Sequence, residues 1–360
     1  MIGPGFPPWG YDSDNGPDQW HKDYPNAKGR HQSPIEINNK DVHYDSSLLP
    51  WFASYDPGAA KTILNNGKTC RVVFDDSFDR SVLRGGPLPG VFRLRQLHFH
   101  WGSSDDHGSE HVVNGVRYAG ELHMLHWNPK YSNYLDARRR TDGVAALAIF
   151  LQVGETPKPE MKRILEEINA IKTKGKEAPF PNFDPSILFP KSHDYWTYHG
   201  SFTTPPCEEC ITWIILREPI IVSSDQWIAW MLLQPDGNRI LATRMAKLRS
   251  LSKNAENEPD RPLVDNWRPT QPRYFRMGKS CLANSMKFCN GMSDLVGEES
   301  AADTVYLDFS EALDNVPHKI LVGKLLIYRL DEQALRWTEN WLNGQVQRVV
   351  FRSMEPTGSQ

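Results

Sequence analysis

Cysteine is scarce in this chain of 360 residues: Cys70, Cys207, Cys210, Cys281 and Cys289 are all there is. An odd, low count argues against a disulfide framework and favours a reducing compartment, so the cytosol is the expected location. No run of about 18 uninterrupted apolar residues occurs, and no membrane span is expected. The opening segment, MIGPGFPPWG, has neither a basic stretch nor an apolar core, so no signal peptide is read there. An excess of charge is missing too. The 41 Lys and Arg nearly balance 44 Asp and Glu, for a net charge of −3, which speaks against a strongly basic nucleic-acid binder and against an acidic tail protein. No internal repeat is visible.

What the chain has is turn formers and rings: 27 Pro, 25 Gly, 12 Trp, 12 Tyr and 15 Phe, a composition suited to a turn-rich β protein with an aromatic core. Up to about residue 180 the turn signals NGPD, SPIEI, NNGK, RGGPLPG, VNG and WNPK separate short apolar or alternating runs. TILNN, CRVVF, FRLRQLHFHW, GELHMLHW and GVAALAIFLQVG read as strands. Met161, Ile164, Leu165, Ile168 and Ile171 have helical spacing in PEMKRILEEINAIK. A Pro-rich loop follows, then a strand pair (YWTYHG and CITWIILREPIIV) and a helix in MAKLRSLSKNAE. The expected fold is mostly β (α+β): a large, twisted, predominantly antiparallel central sheet with peripheral helices. Near Tyr274 the composition turns to a polar linker and then to further strand-like and amphipathic stretches, so a C-terminal appendage is expected beyond the main domain.

Histidine carries the sharpest chemical signal. His98 and His100 stand at i and i+2 in QLHFHW, and on a strand they share a face. His123 lies in a second strand-like run, ELHMLHW. If the two strands pair, three imidazoles converge. Three His with an open fourth position is the catalytic zinc pattern, whereas a structural site has four ligands and is usually rich in Cys. On spacing alone, metal ligation and satisfied core histidines both remain open.

QLHFHWGSSDDHGSEH, ELHMLHWNP and GSFTTPPCEECITWIIL, with NGPDQWHKDYPNAKGRHQSPIEI and PLVDNWRPTQP, resemble the α-class carbonic anhydrases in order and spacing from Trp9 to about Pro272. The resemblance implies the carbonic-anhydrase fold over residues 9–275, a Zn2+ cofactor, and reversible hydration of carbon dioxide to bicarbonate and a proton. It implies a monomer, with a small-molecule substrate as partner rather than nucleic acid or membrane. Residue by residue, His98, His100 and His123 match the zinc ligands, and Gln96 and Glu121 match groups that orient ligand imidazoles. Thr203 matches the hydroxyl that accepts a hydrogen bond from the nucleophile, and Glu110 the carboxylate that takes the Thr203 proton. Thr204 flanks the site. Tyr11 and Asn66 match a polar, water-holding wall. Leu125, Ala146, Ile211 and Trp213 match the apolar wall where carbon dioxide would sit, and Ala146, in place of the usual Val, implies a roomier pocket. His111 and His126 match buried hydrogen-bonding residues. His21 and His107 are expected at the surface or the cleft, and Cys207-x-x-Cys210 is read as local packing.

Where a fast enzyme of this family has a proton-shuttling His, this chain has Lys68. An ordinary Lys is already protonated near neutrality and accepts a proton poorly. Arg71 adds positive charge to the same rim, and Phe202, in place of Leu, is expected to crowd the zinc. Lys68, Cys70, Arg71 and Phe202 together resemble the slow, muscle-type cytosolic branch, which implies low turnover and weak sulfonamide binding. A carbonic-anhydrase-like binding protein with little or no turnover is the alternative, and the intact His triad argues against it.

Two features depart from the family. Eighteen residues, Trp227 to Arg244, interrupt the run from SSDQ to MAKLRS. They read as a looped-out insertion or as translated intron sequence. After Pro272 the usual closing strand is replaced by RYFRMGKS, so an unpaired sheet edge is expected. Within 276–360, DTVYLDFSEALDNVPHKILVGKLLIYRLDEQALRWTENWLNGQVQRVVF resembles a fragment of a LINE-type retrotransposon reverse transcriptase. Asp308 matches its first metal-binding Asp, but the paired-Asp motif that polymerase chemistry needs is absent. The tail is therefore expected to be non-catalytic, and partly helical or disordered. Peptide mass spectrometry over residues 220–300 of the expressed protein should recover both the insertion and the junction; their absence would show that neither is translated.

Overall fold

The computed structural model describes residues 8–154, 161–223, 244–274 and 279–281. Thirteen of the described strands join in one sheet. Its main path runs Glu177–Pro179, Ala60–Asn65, Cys70–Phe74, Phe92–Trp101, Gly120–Trp127, Val144–Gly154, Ile211–Leu216, Tyr195–Gly200, Lys279–Cys281 and His43–Tyr44. Neighbours along it are mostly antiparallel; Val144–Gly154 is parallel to both Ile211–Leu216 and Ile220–Ser223. The mostly-β expectation therefore holds. No described helix is long and apolar enough to cross a membrane.

The centre of the sheet is buried on both faces. Every residue from Val144 to Leu151 is buried, as a continuous VAALAIFL run demands of a strand covered on both sides. Every residue of Gly120–Trp127 is buried as well, including Glu121, His123 and His126. Polar groups sealed in this way must find partners or titrate to neutrality.

The predicted helix near residue 165 forms as an α-helix at Lys162–Glu167 that tightens to a 3-10 turn at Ile168–Ile171. Its five apolar positions, Met161 through Ile171, are all buried. Two expected elements are shorter than the sequence pattern suggests. The CITWIILREPIIV run breaks after Leu216, because Pro219 has no N–H for a ladder, and it resumes at Ile220–Ser223. Both parts still pair with the same long strand, at residues 144–148 and 151–154. The helix expected through Glu256 ends at Arg249. Beyond it, Leu251 is buried and the Ser252 N–H donates to the Lys172 carbonyl, so tertiary hydrogen bonds replace another helical turn.

The expected unpaired edge is corrected by the structure. Lys279–Cys281 pairs antiparallel with Tyr195–Thr197, and Lys279 and Ser280 align in parallel with His43 and Tyr44. Strand pairing uses backbone groups, so a segment as short as KSC can occupy this edge. Lys279 Nζ also donates to Asp45 Oδ2 at 2.8 Å, and hydrogen bonds from Lys279 and Ser47 bring the Asp45 carboxyl down to about 2. The first compact unit runs to Cys281. Most of the insertion, Trp227–Thr243, and the tail from 282, with Asp308, lie outside the described residues.

His126 meets the expectation of a buried structural residue. Its Nδ1–H donates to the Met124 carbonyl at 3.1 Å and its Nε2 accepts from the Tyr55 hydroxyl at 2.8 Å. Burial lowers its pKa to about 3. An unfolded His binds a proton near pH 6.5, which the folded protein refuses, so this contribution is complete above about 6.5 and is lost as pH falls toward 3. Chemical denaturation between pH 6.5 and 4 should show His126→Asn reducing the pH slope of stability by about one proton, or ~1.4 kcal/mol per pH unit. An unchanged slope would refute the assignment.

Candidate metal centre

The centre follows from strand register. Cys70–Phe74, Phe92–Trp101, Gly120–Trp127 and Val144–Gly154 lie side by side, and Arg71, His98, His123 and Ala148 form one row across them. Gln96, Leu125, Ala146, Trp213 and Tyr198 form the next row. His100 stands opposite Glu121 in a third. Rows two residues apart share a face, so the histidines and the apolar residues are necessarily neighbours.

His98, His100 and His123 are all buried, and one ring nitrogen from each comes within 4.8 Å of the others. His98 Nε2 lies 3.1 Å from His100 Nε2. Burial holds all three imidazoles below their ordinary pKa, His100 to about 3, and their mutual repulsion adds to this for His98 and His100. They are neutral at physiological pH, as metal ligands must be.

Two of the three rings are aimed from behind. His100 Nδ1–H donates to the Asn266 carbonyl at 2.7 Å, leaving the Nε2 lone pair facing the cluster. His123 Nε2–H donates to Glu121 Oε1 at 2.6 Å, leaving Nδ1 on the inner side. Glu121 also accepts from the backbone N–H groups of Glu110 and His111 and from the His111 ring. Burial alone would raise the Glu121 carboxyl, but His111 and His123 outweigh it and hold it well below the usual range. Gln96 does not take the role expected of it: His98 Nδ1 is buried with no hydrogen-bond partner among the described residues. A register shift between Leu94 and Gln96 accompanies this difference. Sequence reading also missed Asn266, whose side chain accepts from Trp101 N–H and donates to the Lys68 and Phe99 carbonyls. Only its place in the PLVDNWRPTQP motif hinted at a role.

Glu110 closes the inner side. Its Oε1 accepts from the Arg268 backbone N–H at 2.8 Å, and its Oε2 lies 3.4 Å from His100 Nε2. That Oε2 makes no hydrogen bond of normal geometry, although the Thr203 hydroxyl is near enough to act on the carboxyl. Burial and then the Glu121 charge push Glu110 well above the usual range; Thr203 and Arg268 oppose the rise. Arg268, the second residue missed, is itself buried and ties this corner to the Gln32 side chain and to the Ser33 and Ala27 carbonyls. Neutral inward nitrogens beside an orphaned carboxylate oxygen suit a divalent cation, and three nitrogen donors suit zinc with an open position.

Leu125, Ala146, Ile211, Trp213 and Phe202 belong to one buried apolar cluster, and the Trp213 ring packs edge-on at 4.8 Å from His123. Thr203 is buried and Thr204 half-buried beside them. Tyr11, half-buried, packs edge-on against Trp9 and Trp20. Asn66 Oδ1 accepts from the Lys68 and Thr69 N–H groups, fixing the turn in which Gly67 takes a positive φ of 76°. Lys68 Nζ lies 4.5 Å from the Trp9 ring centroid. Burial lowers the Lys68 pKa, and Lys174 and Arg71 add to this. Cys207 and Cys210 are free and buried, and burial raises both thiols, Cys207 to about 11, which suits packing rather than redox chemistry.

A family model for eukaryotic-type carbonic anhydrase matches residues 15–277. Mouse carbonic anhydrase 3 is 63% identical over 264 residues, which is 73% of this chain and 94% of that protein. The human protein of the same name is 62% identical over the same shares. Mouse carbonic anhydrase 1 is 49% identical over 265 residues, again 73% of this chain and 94% of that protein.

Titration of metal-stripped protein with zinc should give one tight site. Glu121→Gln should weaken it about 10- to 100-fold, carbonic anhydrase being the standard example of this effect. Full affinity in a His100→Ala variant would sink the ligand assignment.

Proposed function

The chain belongs to the eukaryotic-type carbonic anhydrase family, and we propose that His98, His100 and His123 hold one zinc ion at which carbon dioxide is hydrated, slowly for the family. The observation that carries this is the aim of the rings: two outward nitrogens are engaged by Asn266 and Glu121, and the inward ones converge. Zinc so held supplies the Lewis acidity that makes hydroxide available near neutral pH.

The remaining work falls to side chains. The Thr203 hydroxyl is near enough to act on the Glu110 carboxyl; donating there, its oxygen would present only lone pairs to the nucleophile and orient it. Arg268 N–H keeps that carboxylate in place. Leu125, Ala146, Ile211 and Trp213 offer an apolar bay for a non-polar, linear substrate, with Thr204 at its edge. The small Ala146 side chain makes the bay roomier. Bicarbonate is anionic and leaves this surface readily for water.

The proton must then reach solvent past Tyr11, Asn66 and Lys68. Burial, Lys174 and Arg71 all disfavour the charged form of Lys68, but its starting point of about 10.4 is far above neutrality. It therefore stays a poor acceptor. Phe202, in the same cluster as the bay, adds crowding at the centre. We read the enzyme as a cytosolic monomer with a non-catalytic tail; the free, buried cysteines Cys70, Cys207 and Cys210 support the reducing location.

Stopped-flow hydration should show Lys68→His raising turnover, and Thr203→Ala lowering it by about 10²-fold. An unchanged rate for Lys68→His would sink the proton-transfer account while leaving the zinc site standing. Phe202→Leu should separately tighten sulfonamide binding.

A further inference from the structure

Phe202 packs in the apolar cluster beside the metal centre, and a guanidinium lies over its ring: Arg138 Cζ is 4.8 Å from the ring centroid. That guanidinium is anchored. Arg138 Nε donates to Glu208 Oε2 at 2.7 Å, and Nη2 pairs with the same oxygen. Only 20% of the Arg138 side chain and 25% of the Glu208 side chain is exposed, so solvent screens the pair less than an ordinary surface bridge. Arg138 also lies 5.7 Å from the Tyr134 ring centroid. It follows directly on the short helix Tyr134–Ala137, where its N–H donates to the Tyr134 carbonyl. Glu208 closes the circuit: its backbone carbonyl accepts from the Phe202 N–H at 3.1 Å.

We propose that Arg138, pinned by Glu208, is a positioning residue that holds the Phe202 ring at the mouth of the metal centre and so limits the access of bulky ligands. The inference rests on the zinc reading above and on Phe202 crowding that site. A cation held over a ring and fixed by a carboxylate restricts the ring in a way that apolar packing, being non-directional, does not. Arg138 touches neither substrate nor metal in this account; it acts through Phe202. Lys at this position would keep the charge but lose the planar fork.

The test uses the full chain carrying 4-fluorophenylalanine at position 202, with Arg138 intact or as Arg138→Ala, Arg138→Lys or Glu208→Gln. Fluorine NMR is recorded on metal-free and zinc-loaded protein, and affinity for a fluorescent aromatic sulfonamide is measured on unlabelled zinc-loaded protein. Arg138→Ala and Glu208→Gln should shift or broaden the fluorine line in both metal states. They should tighten the sulfonamide about two- to fivefold, the range that corresponds to a partly exposed cation–ring contact. Arg138→Lys should fall between. In the Phe202→Leu background the same substitutions should leave sulfonamide affinity unchanged. A fluorine line unmoved by Arg138→Ala and Glu208→Gln overturns the proposal, and so does a sulfonamide effect that persists in the Phe202→Leu background. Failure of every variant to bind zinc or sulfonamide would instead overturn the zinc reading, and the metal-free fluorine spectra would still decide whether Arg138 places the ring.

Discussion

His98 and His123 face one another across two antiparallel strands, and nearly everything else about the centre depends on that pairing. Side chains alternate along a strand, so a slip of one residue between the two strands would put the two imidazoles on opposite faces of the sheet. The same register sets Leu125 opposite Ala146, and Ala146 opposite Trp213. The apolar bay is therefore not a separate construction beside the metal centre. It is the neighbouring row of one sheet face. The continuous apolar run of Val144–Leu151 holds the register, because displacing it would expose a core strand to water.

Burying so many titratable groups is costly unless each has its partner. Glu121 shows how this is met: one carboxylate serves His111, His123 and two backbone N–H groups. Beyond it, His111 reaches the Tyr198 hydroxyl at 2.7 Å, and Tyr198 donates to Ser33 at 2.8 Å. Among the described residues, the atoms left without partners include His98 Nδ1 and Glu110 Oε2, with Arg71 Nε and Arg268 Nε on adjoining residues. The Glu110 oxygen points toward the imidazoles of His100 and His123. A cation there would offset the carboxylate and the crowded ring nitrogens together, so its binding would be coupled to the stability of the centre.

The sheet edge shows a different kind of tolerance. Backbone pairing asks little of side chains, and the short Lys279–Cys281 segment takes the edge beside Tyr195–Thr197. The Lys279 bond to Asp45 adds a side-chain tie at that edge. The metal centre makes stricter demands. Asn266, Arg268 and Glu110 contribute single atoms at set positions, and they come together from segments more than a hundred residues apart.

Periodicity alone determined the central strands and which of their residues share a face, because side-chain alternation is a local property of the chain. The buried positions of the helix near residue 165 were legible for the same reason, with a 3.6-residue period in place of two. Resemblance to a known family extended this reading to Thr203, Glu110 and the apolar wall, which no local pattern marks. Tertiary structure decided what local pattern could not. The Asn266 carbonyl orients His100, Gln96 makes no bond to His98, and Arg138 lies over Phe202. These are contacts between groups distant along the chain, and their geometry exists only once the sheet has brought them together.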